Sequence, residues 1–238
     1  MEKEHLDDHS LIKRYQQYLG EFVYGGMDGS VTTFAVVAGA YGASLESSVV
    51  IILGFANLFA DGFAMSVGAY LSSKATLDNF KKHRNIEYWE IDHKRDSEVE
   101  EVREIYRNKG FEGELLEKVV DVITADNDRW VDTMMKEELE MLPDGKSPTM
   151  IGIMTMVSFL LIGLIPVMIY VADFISPLDI HLFTVSSIMT GVAFLLIGWF
   201  KSYVNQTSRL RGILETIILG ASAATVAYYV GRILDSIV

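Results

Sequence analysis

The stretch TMIGIMTMVSFLLIGLIPVMIYV, Thr149 to Val171, carries no charged side chain over 23 residues. A helix needs about 20 consecutive, mostly apolar residues to cross a bilayer core, so this stretch reads as a membrane span. Downstream, Ile180 to Phe200 repeats the pattern with His181 at its edge, and Ile213 to Gly231 follows with Glu215 near its start. Upstream, Phe22 to Tyr41 is interrupted only by Asp28, and Ser48 to Leu71 only by Asp61. Five spans result. The first and fifth are rich in Gly and Ala, a composition that suits helices packed closely in lipid. On the fifth, Gly220 with Ala224 and Ala223 with Ala227 are small residues four apart, and they read as helix packing. Pro166 inside the third span predicts a bend, because it removes an N–H that neighbouring groups must compensate.

The 238 residues carry a net charge of −12, and that charge is segregated. No Lys or Arg lies between Arg14 and Lys74, nor between Lys146 and Lys201. Residues 74–146 hold 20 of the 32 acidic and 13 of the 20 basic side chains. A soluble fold would spread charge over all its helices, because each shows water one face. The acidic balance and the lack of a basic stripe exclude a nucleic-acid binder. Zero cysteines exclude disulfide scaffolds, thiolate metal sites and cysteine catalysis. No signal peptide is visible, the first 20 residues being polar. Loops 42–47 and 172–179 lack Lys and Arg, whereas the loop before the fifth span has Lys201, Arg209 and Arg211. By the positive-inside rule the N-terminus and residues 73–147 are cytoplasmic and the C-terminus lies opposite. The expected architecture is all-α and polytopic. Residues 1–20 form a cytoplasmic segment, 21–72 the first two spans, 73–147 a cytoplasmic acidic three-helix metal-binding insert, and 148–238 spans three to five.

Two groups of residues point to chemistry. A carboxylate within the bilayer costs about 2.5–3.5 kcal/mol and normally faces a bundle interior, marking an ion or proton path. Asp28 and Asp61 are such residues. Met65 follows Asp61 by one turn and Asn57 precedes it by one, so carboxylate, thioether and amide oxygen share a face. Adding sulfur to oxygen ligands shifts preference from Mg or Ca toward a softer ion such as Fe(II). In the insert, the expected elements are a long helix from the second span to about Asn108, a short one over 114–125, and a third capped by Asp126 or Asn127 and ending near Leu142. On a continuous long helix, Glu87, Glu90, Glu98 and Glu101 fall within about 80° of arc at 100° per residue. His83 and Lys94 fall on the same face. Met134 and Glu138 share a face of the last helix, with Met135 adjoining. Paired carboxylates on facing helices are how four-helix carboxylate sites hold iron or manganese, but the E-x-x-H element of those sites is absent. This argues against a ferroxidase, and for a looser, exchangeable site.

These residues carry a resemblance to the vacuolar iron transporter family, related to the yeast calcium-cross-complementing transporters. It covers nearly the whole chain: Gly26-Met27-Asp28-Gly29, Ala64-Met65-Ser66-Val67-Gly68-Ala69-Tyr70, the acidic insert, and Gly220-Ala221-Ser222-Ala223-Ala224 through Tyr228 to Gly231. The resemblance implies a homodimer with five membrane helices per chain and a path at the dimer interface lined by Asp28 and Met65. It implies that Glu87, Glu90, Glu98, Glu101, Met134, Met135 and Glu138 gather ferrous iron. The implied activity is proton antiport of Fe(II), with Mn(II) as a second candidate and Co(II) and Zn(II) behind it. No tightly bound cofactor and no enzymatic activity are implied. The membrane would be the cell membrane in a prokaryote or a vacuole-type membrane in a eukaryote. Where the family has Gly-Glu-Tyr, this chain has Gly68-Ala69-Tyr70, one carboxylate fewer, with Asp61 the nearest alternative. The competing reading is a membrane-anchored iron buffer or sensor, which would have no need of intramembrane carboxylates.

Overall fold

A computed structural model describes residues 16–237. The chain divides into two compact units, one running through Leu71 and resuming at Lys146, the other Ser72–Gly145. The described helices are α1 (Leu19–Gly42), α2 (Ser47–His93), α3 (Arg95–Asn108), α4 (Gly113–Thr124), α5 (Asn127–Glu137), α6 (Pro148–Gly163), α7 (Ile165–Ile175), α8 (Leu182–Val204) and α9 (Arg209–Asp235). The expected segment 1–20 falls mostly outside the described residues.

In the first unit the apolar pattern is inverted relative to a water-soluble protein. Large side chains such as Ile52, Phe59, Phe63, Leu161, Ile188 and Ile218 are exposed, while Ser30, Thr33, Thr155, Ser158, Thr190 and Thr216 are buried. Exposed apolar surface of this extent marks a membrane-facing protein. All but one of these hydroxyls bond carbonyls of their own helices, as Thr155 to Ile151 and Thr216 to Gly212, and Thr33 Oγ1 accepts from Asn57 Nδ2. Helix α1 is central. It meets α6 where Gly25 and Gly29 face Thr155 and Phe159, and it meets α9 where Gly39 and Gly42 face Ala227, Tyr228 and Gly231. A Cβ at Gly42 would run into the Tyr228 backbone, so the approach requires glycine.

Among the described residues, α2, α8 and α9 are long and apolar enough to cross a membrane, and the bent pair α6–α7 makes a fourth if the two are taken as one span. The 24-residue α1 is long enough, but its glycines and two acids make it less apolar. The expected bend at Pro166 is present: α6 and α7 meet at Leu164 at 51°. Ser186 of α8 donates to the Pro166 carbonyl at 2.6 Å, a neighbouring helix serving the break. Of the small-residue pairs on α9, Gly220 and Ala224 are buried in packing, whereas Ala223 and Ala227 are only half-buried.

The second unit has a core of Ile91, Val102, Leu116, Val120, Ile123, Trp130, Val131, Met134 and Met135. Its helices match the expected three-part order, with two differences. The long helix is interrupted at Lys94, whose φ of −128° and ψ of 32° leave helical geometry, so α3 begins anew at Arg95. The last helix ends at Glu137 rather than near Leu142, because Glu140 takes a left-handed φ of 52° and Met141 N–H turns back to the Met135 carbonyl. Asp126 caps that helix as expected, accepting from Arg129 N–H at 2.8 Å.

Candidate metal sites in the insert and the membrane unit

In the insert, Glu87 ends its side chain inside the unit at 3% exposure and Glu98 at 4%. One oxygen of each, Oε2, is buried with no hydrogen-bond partner. A buried carboxylate without partners disfavours its charged form. Burial, and then the carboxylates of Glu138, Glu98, Glu90 and Glu101, push Glu87 up to about 7. Burial, and then Glu101, Glu90 and Glu138, raise Glu98 likewise to about 7. Glu138 is raised by burial and by Glu101 and Glu90. The five glutamates named from the sequence therefore share one electrostatic neighbourhood, even though the helix carrying four of them breaks in its middle. Lys94, at the break, binds Glu90 at 2.8 Å and partly offsets the charge on Glu98.

This neighbourhood is not a ready cage: among the described residues no three His, Asp or Glu side chains converge as a metal-binding group. Met134 and Met135 are 0% and 2% exposed and belong to the hydrophobic core, which gives them a packing role in this state. His83 is half-buried on α2.

A polar clamp beside the cluster was not anticipated. Tyr88 donates to Asp128, and Arg84 pairs with Asp132 at 3.1 Å, joining α2 to α5. The i, i+4 spacing of Arg84 and Tyr88 was the available sequence signal; their partners Asp132 and Asp128 lie 48 and 40 residues away and follow no local period. Arg103 grips both Glu117 oxygens at 3.0 and 3.1 Å, joining α3 to α4. Such fork geometry fixes orientation as well as distance.

In the membrane unit, Asp28 and Asp61 are both half-buried. The two carboxylates sit on neighbouring helices, α1 and α2, a relation that one-helix periodicity could not reveal. Asn57 Nδ2 donates to Thr32 Oγ1 at 3.4 Å and Thr33 Oγ1 at 3.3 Å, so its amide ties α2 to α1 beside Asp28. Met65 is half-buried one turn beyond Asp61. Asp28 also opens on a groove of about 670 Å³ between α1 and α9, walled by Met27, Val31, Ser222, Ala223 and Ala227. Asp61, Asn57 and Met65 do not line that groove. Glu215 pairs with Lys201 at 3.3 Å and Arg211 at 3.1 Å, a solvated helix end rather than a site.

A vacuolar iron transporter of Plasmodium berghei (strain Anka) is 30% identical over 239 residues, covering 98% of this chain and 86% of that protein. One of Toxoplasma gondii (strain ATCC 50861 / VEG) is 32% identical over 243 residues, covering 99% and 80%. Vacuolar iron transporter 1 of Arabidopsis thaliana is 28% identical over 237 residues, covering 98% and 94%. The VIT family model matches residues 19–232, from the start of α1 to near the end of α9, and the chain belongs to the VIT family.

Proposed function

We propose that this protein is a divalent-metal transporter that moves ferrous iron, with manganese as a second cargo, out of the cytosol in exchange for protons. The observation that carries the proposal is the placement of Asp28 and Asp61, two half-buried carboxylates on neighbouring helices inside stretches otherwise free of charge. Such groups are expensive in lipid and are retained where ions or protons pass. The names of its relatives supply iron as the cargo to test first. In this reading α1 is a fifth span, the N-terminus and the insert are cytoplasmic, and two chains assemble so that Asp28 does not face lipid. The insert glutamates gather the ion. Asp28, Asp61 and Met65 pass it on, with Asn57 setting the spacing of α1 and α2. The thioether of Met65 favours Fe(II) over harder ions, while a carboxylate holds either a proton or a metal ion and so couples the two flows. An anchored iron buffer would explain the insert but not the two half-buried carboxylates of the membrane unit.

The test is metal flux into proteoliposomes under an imposed pH gradient, with Fe(II), Mn(II), Co(II) and Zn(II) compared. Asp28→Asn keeps the size and an amide oxygen but cannot ionise. It should fold and should lose gradient-driven flux. Wild-type flux with unchanged pH dependence in Asp28→Asn would remove Asp28 from the coupling step.

A further inference from the structure

Helices α1, α6 and α8 enclose a groove of about 300 Å³ whose walls are apolar side chains, among them Phe22, Ile162, Leu196, Trp199 and Phe200. One helical turn away, where α8 gives way to α9, lies a polar recess of about 580 Å³ lined by Leu19, Tyr203, Gln206, Thr207 and Arg209. The two are aligned along both helices. Leu19 stands three residues before Phe22 on α1, and Tyr203 four residues after Trp199 on α8, spacings that share a helix face. The Trp199 and Tyr203 rings stack with centroids 5.9 Å apart. Neither cavity is lined by Asp28, Asp61 or Met65.

The charge at this corner is mostly of one sign. Lys201, Arg209 and Arg211 stand with one acid, Glu215, whereas acids outnumber bases over the rest of the unit's described residues. Glu215 takes Lys201 at 3.3 Å and Arg211 at 3.1 Å. Arg209 is exposed, lines the recess and makes no ion pair among the described residues. A groove that is apolar along its length and cationic at its end matches a molecule that is apolar along its length and anionic at its end. The bilayer supplies that molecule, because Leu196 and Trp199 belong to the exposed apolar surface of the membrane unit. Trp and Tyr stacked between groove and recess are the side chains that settle at the level of lipid headgroups. A guanidinium holds phosphate through a planar fork of N–H groups. We propose that α1, α6 and α8 bind an anionic phospholipid, with an acyl chain in the groove and the phosphate against Arg209. The inference rests on the membrane unit and not on metal transport.

Trp199 reports the site. The full chain is reconstituted in vesicles mixing phosphatidylcholine with phosphatidylglycerol, one of the two carrying bromines on its acyl chains, which quench tryptophan on contact. The quenching lost in Trp199→Phe is the signal from the groove, since Trp89 and Trp130 remain in both proteins. Exchanging which lipid is brominated gives the relative affinity of the two at Trp199. Phosphatidylglycerol should win by about fivefold, the preference expected for one cation near an anionic surface. Arg209→Gln should bring the ratio close to one, and Arg209→Lys should keep most of it. Arg232→Gln, an exposed position near the other end of α9, should leave it unchanged. Glycerol phosphate, which has the anion without the chains, should not displace the lipid at millimolar concentration. Four results would each overturn the inference. A ratio near one in the wild type makes the groove ordinary lipid-facing surface. An equal fall in Arg209→Gln and Arg232→Gln makes the preference a diffuse field. Displacement by glycerol phosphate makes the recess a site for free phosphate. No Trp199 quenching by either lipid means that protein, such as a second copy of the chain, covers the groove. If the chain moves no metal, the transport proposal fails, and the quenching still decides the lipid site.

Discussion

Metal binding by the insert should depend steeply on pH near neutrality, because Glu87 and Glu98 are both pushed up to about 7 by burial first and by neighbouring carboxylates second. Metal ligands must be deprotonated, so each proton held must leave when the ion enters. With two groups near 7, the doubly ionised fraction falls from about 0.8 at pH 8 to about 0.01 at pH 6, and affinity should fall about 100-fold. Two groups at the ordinary glutamate value near 4.5 would leave that fraction above about 0.9 at pH 6. The protons belong to the coupled pair, so the measurement reads two macroscopic steps, not one residue each. Without metal the sign reverses. These carboxyls bind protons more tightly folded than unfolded, so their contribution to stability is full below about 4.5 and is lost as pH rises through about 7. The assay is a calorimetric titration of the full chain in detergent with Mn(II) at pH 8, 7 and 6, repeated in buffers of different ionisation enthalpy to count protons released. Glu87→Gln leaves one titrating partner and should shrink the pH effect to about tenfold. Equal affinity at pH 6 and pH 8, or a full hundredfold effect in Glu87→Gln, would refute the reasoning.

Further outcomes follow from the same contacts. Glu87→Ala combined with Glu90→Ala should weaken calorimetric Mn(II) binding without abolishing transport, because Glu98, Glu101 and Glu138 remain and affinity tracks ligand charge; unchanged affinity would make the stripe a solvated face. Met65→Ala should narrow the preference for Fe(II) over Mn(II) in competitive flux while leaving the pH dependence intact. Trp130→Ala empties a wholly buried core position of the insert; it should cost about 3–5 kcal/mol, read as proteolysis within residues 72–145 at denaturant concentrations the wild type survives. Gly42→Ala sets a methyl against the Tyr228 backbone, and should lower the thermal midpoint in detergent far more than Gly68→Ala, where a Cβ meets open space.

The sequence by itself determined the membrane class, the insert and the family. Long charge-free runs can be satisfied only as helices in lipid, and the 20 acids gathered in residues 74–146 had to lie outside it. The bend at Pro166 and the cap at Asp126 were legible because each follows from a single residue's backbone chemistry. A helical period placed the glutamates of the insert on one face; α2 stops at His93, and Glu87 and Glu98 are buried on either side of the break. Tertiary structure alone decided the rest. It put Met134 and Met135 in the core, a matter of which face α5 turns to its neighbours. It set Asp28 and Asp61 on neighbouring helices, and it brought Tyr88 to Asp128 and Glu21 to Lys146, pairs separated by 40 and 125 residues. Periodicity places residues on a face of one helix, but the partner across the interface depends on close approaches such as Gly25 and Gly29 on α6 and Gly42 on α9. The electrostatics of these sites arise only once helix packing has removed water from both sides of a pair.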